Sequence, residues 1–546
     1  TTEIFEGLTA ASQNHWPSLE FDVGAINTHL SRFLPAGFYY KMFMYPRSFW
    51  KHVYEPIIRK SAGLGKAPKD RDQDTYEHFH ASVDVLVVGG GIAGLAAAHA
   101  AGERGARVLL VEQTADWGGR AVVDSPEIDG KPAQEWINNT VHALDKLSNV
   151  DIRTRCMGAG IYDHGYALAY ERLTDHAPDD DGPRHRLWRI RAKQIITATG
   201  AIERPLSFAA NDLPGVLLAS AVRDYVVNFG VSMGDRTVVV TNNDDAYRTA
   251  IILKQAGLDI PAIVDARTEV EGELIDQARG LGIRVELGKG IAKVKGGKRV
   301  TGVALCAQVG EGAMLEEIAC DCVAMSGGWS PVVHLWSHCG GKLNWDADQV
   351  MFRPDPERAP TSHDGQAFVA TAGVANGHLF TAEVVGDGWA AGCGAAKAAG
   401  HSKRGGQAAI GHDAAEGPIS PVWLMPQGAG HALRSKAWLD FQNDVKVSDV
   451  QLAAQEGFES VEHAKRYTTL GMATDQGKLS NINGLAILSK SLNADIPNVG
   501  TTTFRPPYTP ISMASIAGVA KVARFQPVRK TPVSAWSNDN GADNDP

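Results

Sequence analysis

Three glycines at positions 89, 91 and 94 have the type and spacing to hold a pyrophosphate. They lie in the stretch "VDVLVVGGGIAGLAAAHAAGERGARVLLVE" (83–112). Gly89 permits a tight turn, Gly91 lets backbone approach the anion, and Gly94 lets a helix pack on a strand. Ile92 and Ala93 open that helix, where free N–H groups face a bound anion. Glu112 ends a second apolar run about 20 residues on, where an acid accepts hydrogen bonds from an adenosine ribose. Gln113 follows it instead of an arginine, which disfavours a 2′-phosphate. The stretch "DWGGR" (116–120) has the spacing of a second glycine turn. Gly119 suits close approach there, and Arg120 could meet phosphate or ribose, or cap a helix. A later stretch, "QIITATGAIERP" (194–205), adds Thr199, Gly200 and Arg204 at the end of an apolar run.

A second strand–turn–helix unit has the same frame and different chemistry. "TVVVTNNDDAYRTA" (237–250) places Asn242, Asn243, Asp244 and Asp245 where a dinucleotide loop needs glycine. Their side chains obstruct close approach, and two carboxylates repel a pyrophosphate. The next apolar run ends on Asp265. This unit therefore reads as packed scaffold.

The elements that position these residues follow from periodicity. Residues 85–88 are a continuous apolar run, as in a buried parallel strand. From Ser82 strands alternate with helices, which predicts an α/β fold. Residues 1–80 form an aromatic and basic extension that either packs on the next domain or meets a partner. The expected divisions are a first dinucleotide-binding domain over 81–230 and 331–415, interrupted by a second, degenerate one over 231–330. A Gly-rich link precedes a mostly helical segment over 416–500. Residues 501–546 read as linker and polar tail, the end "SNDNGADNDP" as disordered. The net charge of −9 over 546 residues argues against nucleic acid. No apolar run approaches a membrane span and the start has no secretory pattern, so a cytoplasmic location is expected. The six cysteines include only a lone C-x-C at Cys320 and Cys322, which supports neither a disulfide scaffold nor a metal motif.

The A-T-G segment resembles the hallmark of two-dinucleotide flavoproteins of the glutathione-reductase type. There a late strand ends in Ala-Gly-Asp, and the Asp bonds the flavin ribityl region. The matching residues here are Ala372, Gly373 and Val374, and valine cannot accept that bond. Gly386-Asp387 lies nearby, within an expected helix. NAD, which has no ribityl chain, fits the substitution better than FAD.

Four further stretches carry a closer resemblance: "GFYYKMFMYPRSFWKHVYEPIIRKSAGLGKAP" (37–68), "TNNDDAYRTA" (241–250), "DFQNDVKVSDVQLAAQEGFESVEHAKRYTTLGMATDQGKLSNINGLAI" (440–487) and "TTTFRPPYTPIS" (501–512). With the glycine site they resemble alpha subunits of the heterotetrameric sarcosine oxidase family. The resemblance implies oxidation of sarcosine or a related N-methyl amino acid, with O2 reduced to H2O2. It implies FAD and the amine site on a beta subunit, FMN at the alpha–beta interface, NAD bound on alpha, and gamma and delta partners. Catalytic residues are then expected on beta and none on this chain. Tetrahydrofolate would be used only by a C-terminal region beyond this sequence. Lys478, with Thr503 and Arg505, are the residues expected to face FMN; an ordinary loop and linker are the alternatives. Related hydrogen cyanide synthase and opine oxidase subunits can hold a [2Fe–2S] cluster in the helical segment. The matching positions are Asp440, Gln442, Asp475 and Ser480, so a small cluster-less domain and no metal are expected. Competing readings are an FAD-dependent amine or opine dehydrogenase or hydrogen cyanide synthase-like subunit, a self-contained flavin reductase, and a non-catalytic nucleotide-binding scaffold. His334, His338 and His363 are expected to be packed or surface histidines.

Overall fold

The computed structural model describes residues 3, 6–9, 15–27, 36–62, 72–177, 180–519 and 531–541. A seven-stranded sheet carries the first glycine turn. Strand Tyr76–Val88 runs parallel to Val108–Val111 on one side and His185–Thr197 on the other. Val150–Arg153 extends the parallel part beyond Val108–Val111. On the far side Tyr166–Arg172 and Cys156–Tyr162 add antiparallel strands. Strand Val369–Thr371 returns to pair in parallel with the last three residues of His185–Thr197.

The first strand begins at Tyr76, ahead of the domain start expected at residue 81. Its second half is the buried apolar run. Its first half pairs with the strand that also carries the antiparallel layer, so pairing rather than apolarity extends it. Helix Ile92–Glu103 lies buried against this sheet. Helix Thr381–Ala398 crosses that helix so closely that a Cβ on Gly388 would stand 2.3 Å from the Ala93 carbonyl oxygen. Helix Thr381–Ala398 therefore joins helix Ile92–Glu103 through small residues at a helix crossing.

The second unit is a five-stranded parallel sheet. Its spatial order is Val216–Leu218, Cys322–Ser326, Thr237–Thr241, Ile263–Asp265, Val285–Leu287. A three-stranded antiparallel layer over Lys289–Gly296, Val300–Ala307 and Met314–Ala319 covers one face. The helical segment comprises Val447–Gln455, Val461–Thr468 and Asn481–Leu492 around a core that includes Leu439, Val450, Tyr467 and Leu485. The C-terminal end departs from expectation: Ser534–Asp539 is a helix, and residues 542–546 lie outside the described residues. The N-terminal extension forms short helices, Glu55–Ser61 among them, with residues 63–71 outside the described ones. Among the described residues no helix is long and apolar enough to cross a membrane.

Candidate nucleotide-binding site

A cavity of about 320 Å³ opens at the carboxyl ends of the first two parallel strands. That volume lies at the lower end of the range for small-molecule and cofactor pockets. Its wall includes Gly89, Gly91, Ile92 and Ala93 from the first turn, and Glu112 and Gln113 from the second strand's end. Gly119 and Arg120, then Thr199 and Gly200, also line it.

The glycines divide the work of the turn. Gly89 sits at φ +109°, and a Cβ there would lie 2.2 Å from the Ala198 carbonyl oxygen. A Cβ on Gly94 would stand 1.8 Å from the Gly89 carbonyl oxygen, so Gly94 serves helix packing and is off the wall. Gly91 is different. It caps helix Ile92–Glu103 in extended backbone, and a Cβ there would meet nothing within 4 Å. This is an open cradle at a helix N-terminus, and it fits the phosphates of an ADP-containing dinucleotide.

Glu112 is buried and fixed. Its carboxylate accepts from the Gly90 N–H at 2.6 Å, and from the Thr114 N–H and Oγ1 at 2.8 Å each. These bonds orient a carboxylate that lines the cavity. The second glycine turn meets the first directly: Gly118 N–H donates to the Gly90 carbonyl at 2.8 Å.

Arg120 lines the cavity and also leaves it. It pairs with Asp124 and with Asp245 of the second unit, and its guanidinium lies 4.1 Å from the Trp329 ring centre. The second carboxylate of the "NNDD" loop is thus already neutralised. Arg223 and Arg248 also face Asp245, at 3.4 and 3.5 Å. Burial pushes the Asp245 carboxyl up, but Arg120, Arg223 and Arg248 outweigh it and hold the group below the usual range. Asp244 pairs with Arg267 at 2.7 Å, as does Asp265.

Two residues expected at this site, Gly373 and Arg204, are off the cavity wall besides the packing residue Gly94, and Lys478, Thr503 and Arg505, expected to face FMN, also lie away from it. Gly373 supports the wall from behind, where a Cβ would touch the Ala93 side chain at 2.6 Å. Arg204 is buried in the junction between the units, donating to the carbonyls of Gly327 and Val350. Burial draws its guanidinium down to about 9. Its donors serve backbone carbonyls, and it stands off the cavity wall. Lys478 donates to the Asp475 carbonyl at 3.0 Å and the Tyr508 carbonyl at 2.6 Å. Thr503 and Arg505 are exposed on the following strap. The residue of this region that does reach the cavity is Tyr508, whose N–H donates to the Ala159 carbonyl. Burial pushes its phenol up to about 12.

Val374 lies on the wall, where its side chain offers no hydrogen-bond acceptor. Asp387 sits within helix Thr381–Ala398, and its carboxylate accepts from the Gly373 N–H at 2.8 Å and the Asn376 amide at 3.2 Å. Met157, Arg248, Trp329 and Glu416 also line the cavity. No local pattern marks them, because each arrives from a separate element. His334 packs on Phe504 at 4.2 Å between ring centres, and burial drives it down to about 3, so it stays neutral. Burial likewise draws His338 down to about 4. His363 is exposed.

Three of the four cluster-equivalent side chains are hydrogen-bonded within the protein. Asp440 accepts from the N–H groups of Gln442, Asn443 and Gly471, and the Gln442 side-chain oxygen accepts from the Asp475 N–H at 3.0 Å. Ser480 is buried at the cap of helix Asn481–Leu492. Among the described residues no group of His, Cys, Asp and Glu could hold a metal ion.

Comparison with known proteins agrees with this architecture. Residues 83–350 match the family model "Pyridine nucleotide-disulphide oxidoreductase", and residues 434–519 match "Sarcosine oxidase A3 domain". The chain is 43% identical to the sarcosine oxidase subunit alpha of Rhizobium meliloti (strain 1021), over 99% of this chain and 53% of that protein. It is 39% identical to the corresponding subunit of Corynebacterium sp. (strain P-1), over 88% of this chain and 50% of that one. It therefore spans about half the length of these relatives. In fold it is similar to the L-proline dehydrogenase of P. horikoshii, with a TM-score of 0.62 and 20% identity, over 83% of this chain and 82% of that one. The chain is thus similar to sarcosine oxidase alpha subunits over nearly its whole length, with a pyridine nucleotide-disulphide oxidoreductase fold over residues 83–350 and a match to the Sarcosine oxidase A3 domain over 434–519.

Proposed function

We propose that this chain serves as the alpha subunit of a sarcosine oxidase-like flavoenzyme and binds NAD in the cavity at Gly91. The observation that carries the reading is the pairing of two features on one wall. Gly91 leaves an open phosphate cradle, while Val374 leaves no acceptor for a ribityl hydroxyl. The nearby carboxylate of Asp387 is engaged with Gly373 and Asn376. Glu112 would hold the adenosine ribose, and the N-terminus of helix Ile92–Glu103 would face the pyrophosphate. NAD in this reading is a bound nucleotide to which no hydride step is assigned.

The wider reading follows the relatives. Amine oxidation and its FAD would reside on a beta subunit, with FMN at the alpha–beta interface, gamma and delta completing the assembly, and O2 as acceptor. Thr503 and Arg505 on the exposed strap, and Lys478, which donates to the strap's Tyr508 carbonyl, would face the FMN, away from the cavity. The N-terminal extension supports a partner-facing role, with Trp16, Phe21 and Tyr45 at 65%, 70% and 85% exposure. Denaturing the purified chain and identifying the released nucleotide tests the central assignment. NAD is expected. Release of FAD would overturn the reading in favour of a flavin reductase, and release of nothing would favour a scaffold.

A further inference from the structure

The segment between the first domain and the helical domain crosses the carboxyl ends of the second unit's strands. In open α/β sheets that crevice is where a nucleotide binds. Its floor here is the loop after Thr237–Thr241 and the residues after Ile263–Asp265. Asn242, Asp244 and Arg267 of that floor meet the linker. Asn242 donates from its amide to the Ser420 carbonyl at 2.6 Å, and Ser420 N–H donates back to the Asn242 carbonyl. Gly417 N–H donates to Asp244 Oδ2 at 2.6 Å. Arg267, just past Asp265 where an adenosine ribose would be read, donates to the Pro418 carbonyl at 3.1 Å. Arg248 donates to Glu416 at 2.9 Å.

The linker is anchored beyond the crevice at both ends. Asp413 accepts from Thr381, and Val422 joins the core of the second unit beside Val238 and Val240. Asn242, Asn243, Asp244 and Arg267 are all buried beneath it. What remains is a cavity of about 40 Å³ between Asn243, Trp329, Gly417 and Ile419. That space admits a water or two, whereas cofactor pockets hold several hundred Å³.

We propose that residues 414–420 are a built-in occupant of the second unit's nucleotide crevice, which shuts it to NADH and NADPH. Backbone carbonyls of the linker take the place of ligand acceptors at Asn242 and Arg267. Electrons from a reduced pyridine nucleotide then have no entry through this unit. The proposal stands independently of which nucleotide the Gly91 cavity holds.

Hydrogen exchange read by mass spectrometry on the whole chain tests it, with NADPH and NADH as probes at about 1 mM. In the unaltered chain, exchange over 241–246 and 264–267 should stay unchanged on adding either nucleotide. A change confined to 89–94 would report the first cavity and leave the crevice closed, which supports the proposal. Slowed exchange over 241–246 with faster exchange over 414–420 would overturn it. Gly417→Pro removes the donor to Asp244, and should speed exchange at 414–420 and 241–246 by about tenfold or more. Unchanged exchange in both regions of that variant would also overturn the proposal. Replacing residues 414–420 by a Gly/Ser segment of equal length gives the same readout should the proline variant fail to fold.

Discussion

Substitutions at Gly91 are expected to move the empty and the loaded chain in opposite directions. The residue sits at φ −68° and ψ 177°, a conformation open to any side chain, and its Cβ would meet nothing within 4 Å. Alanine there restricts the unfolded chain without strain, which stabilises the empty protein by about 0.4–1 kcal/mol. In the proposed loaded chain the same Cβ would stand where a pyrophosphate oxygen approaches. Loss of one charge-assisted hydrogen bond costs about 1.5–3 kcal/mol, or about ten- to a hundredfold in affinity. Valine adds two methyls to the same space and should abolish retention. A nucleotide present at about a hundred times its Kd adds about 2.7 kcal/mol to stability, so the variant forfeits most of that gain. Thermal unfolding with and without added NAD, with the nucleotide released on denaturation measured in parallel, reads both signs. Gly94→Ala is the control: its Cβ would stand 1.8 Å from a backbone oxygen, so empty and loaded forms should both fall, by about 1–3 kcal/mol or more. A Gly91→Val protein that keeps its full complement of nucleotide would refute the reasoning.

Three other outcomes follow from buried charges. Arg267→Met leaves Asp244 and Asp265 buried without their shared cation and should destabilise the second unit by about 3–5 kcal/mol, seen as an early unfolding step in a thermal melt; an unchanged melt would contradict it. Burial, reinforced by the charge of Asp245, raises the Glu203 carboxyl from 4.5 to about 7. Its protonated form favours the folded state, so its contribution is full below about pH 4.5 and declines as pH rises to about 7, by about 3 kcal/mol at most. Glu203→Gln should flatten that decline between about pH 5 and pH 8, and identical pH profiles for variant and parent would exclude the assignment. Arg204→Met leaves the Gly327 and Val350 carbonyls short of donors at about 1–3 kcal/mol each, while nucleotide affinity changes less than about twofold. A large loss of affinity at unchanged stability would place Arg204 at the site after all.

The legible part of the site was its local part. A strand, a glycine turn, a helix and a terminal acid follow one another within a single stretch, and their spacing maps onto one wall of the cavity. The closing of that wall is not local. Tyr508 and Glu416 reach it from far along the chain, and no periodicity links them to Gly91. Thr503 and Arg505, expected to face FMN at a subunit interface, are exposed on the strap, and Tyr508 of the same strap lines the cavity. Arg204 follows the A-T-G stretch in sequence, and its place is set by the carbonyls of Gly327 and Val350 across the domain junction. The Asn-Asp loop was legible as a loss of phosphate contact. That the linker 414–420 covers it was not, since the two segments that meet lie far apart in sequence.

The same loop explains why its frame persists. A helix N-terminus in a dinucleotide unit carries partial positive charge and is stabilised by a bound anion. Here Asp245 is itself the first residue of helix Asp245–Gln255, and Asp244 is its cap position. The chain supplies both negative charges. Two buried carboxylates would be prohibitive without partners. Arg120 and Arg223 come from the first domain's second glycine turn and from helix Ala219–Phe229, and Arg267 from the next strand's end. Each arginine therefore ties the loop to a different element. The balance of charge that a bound ligand supplies in a dinucleotide unit is here built into the fold, and removing any one cation loosens a joint between elements.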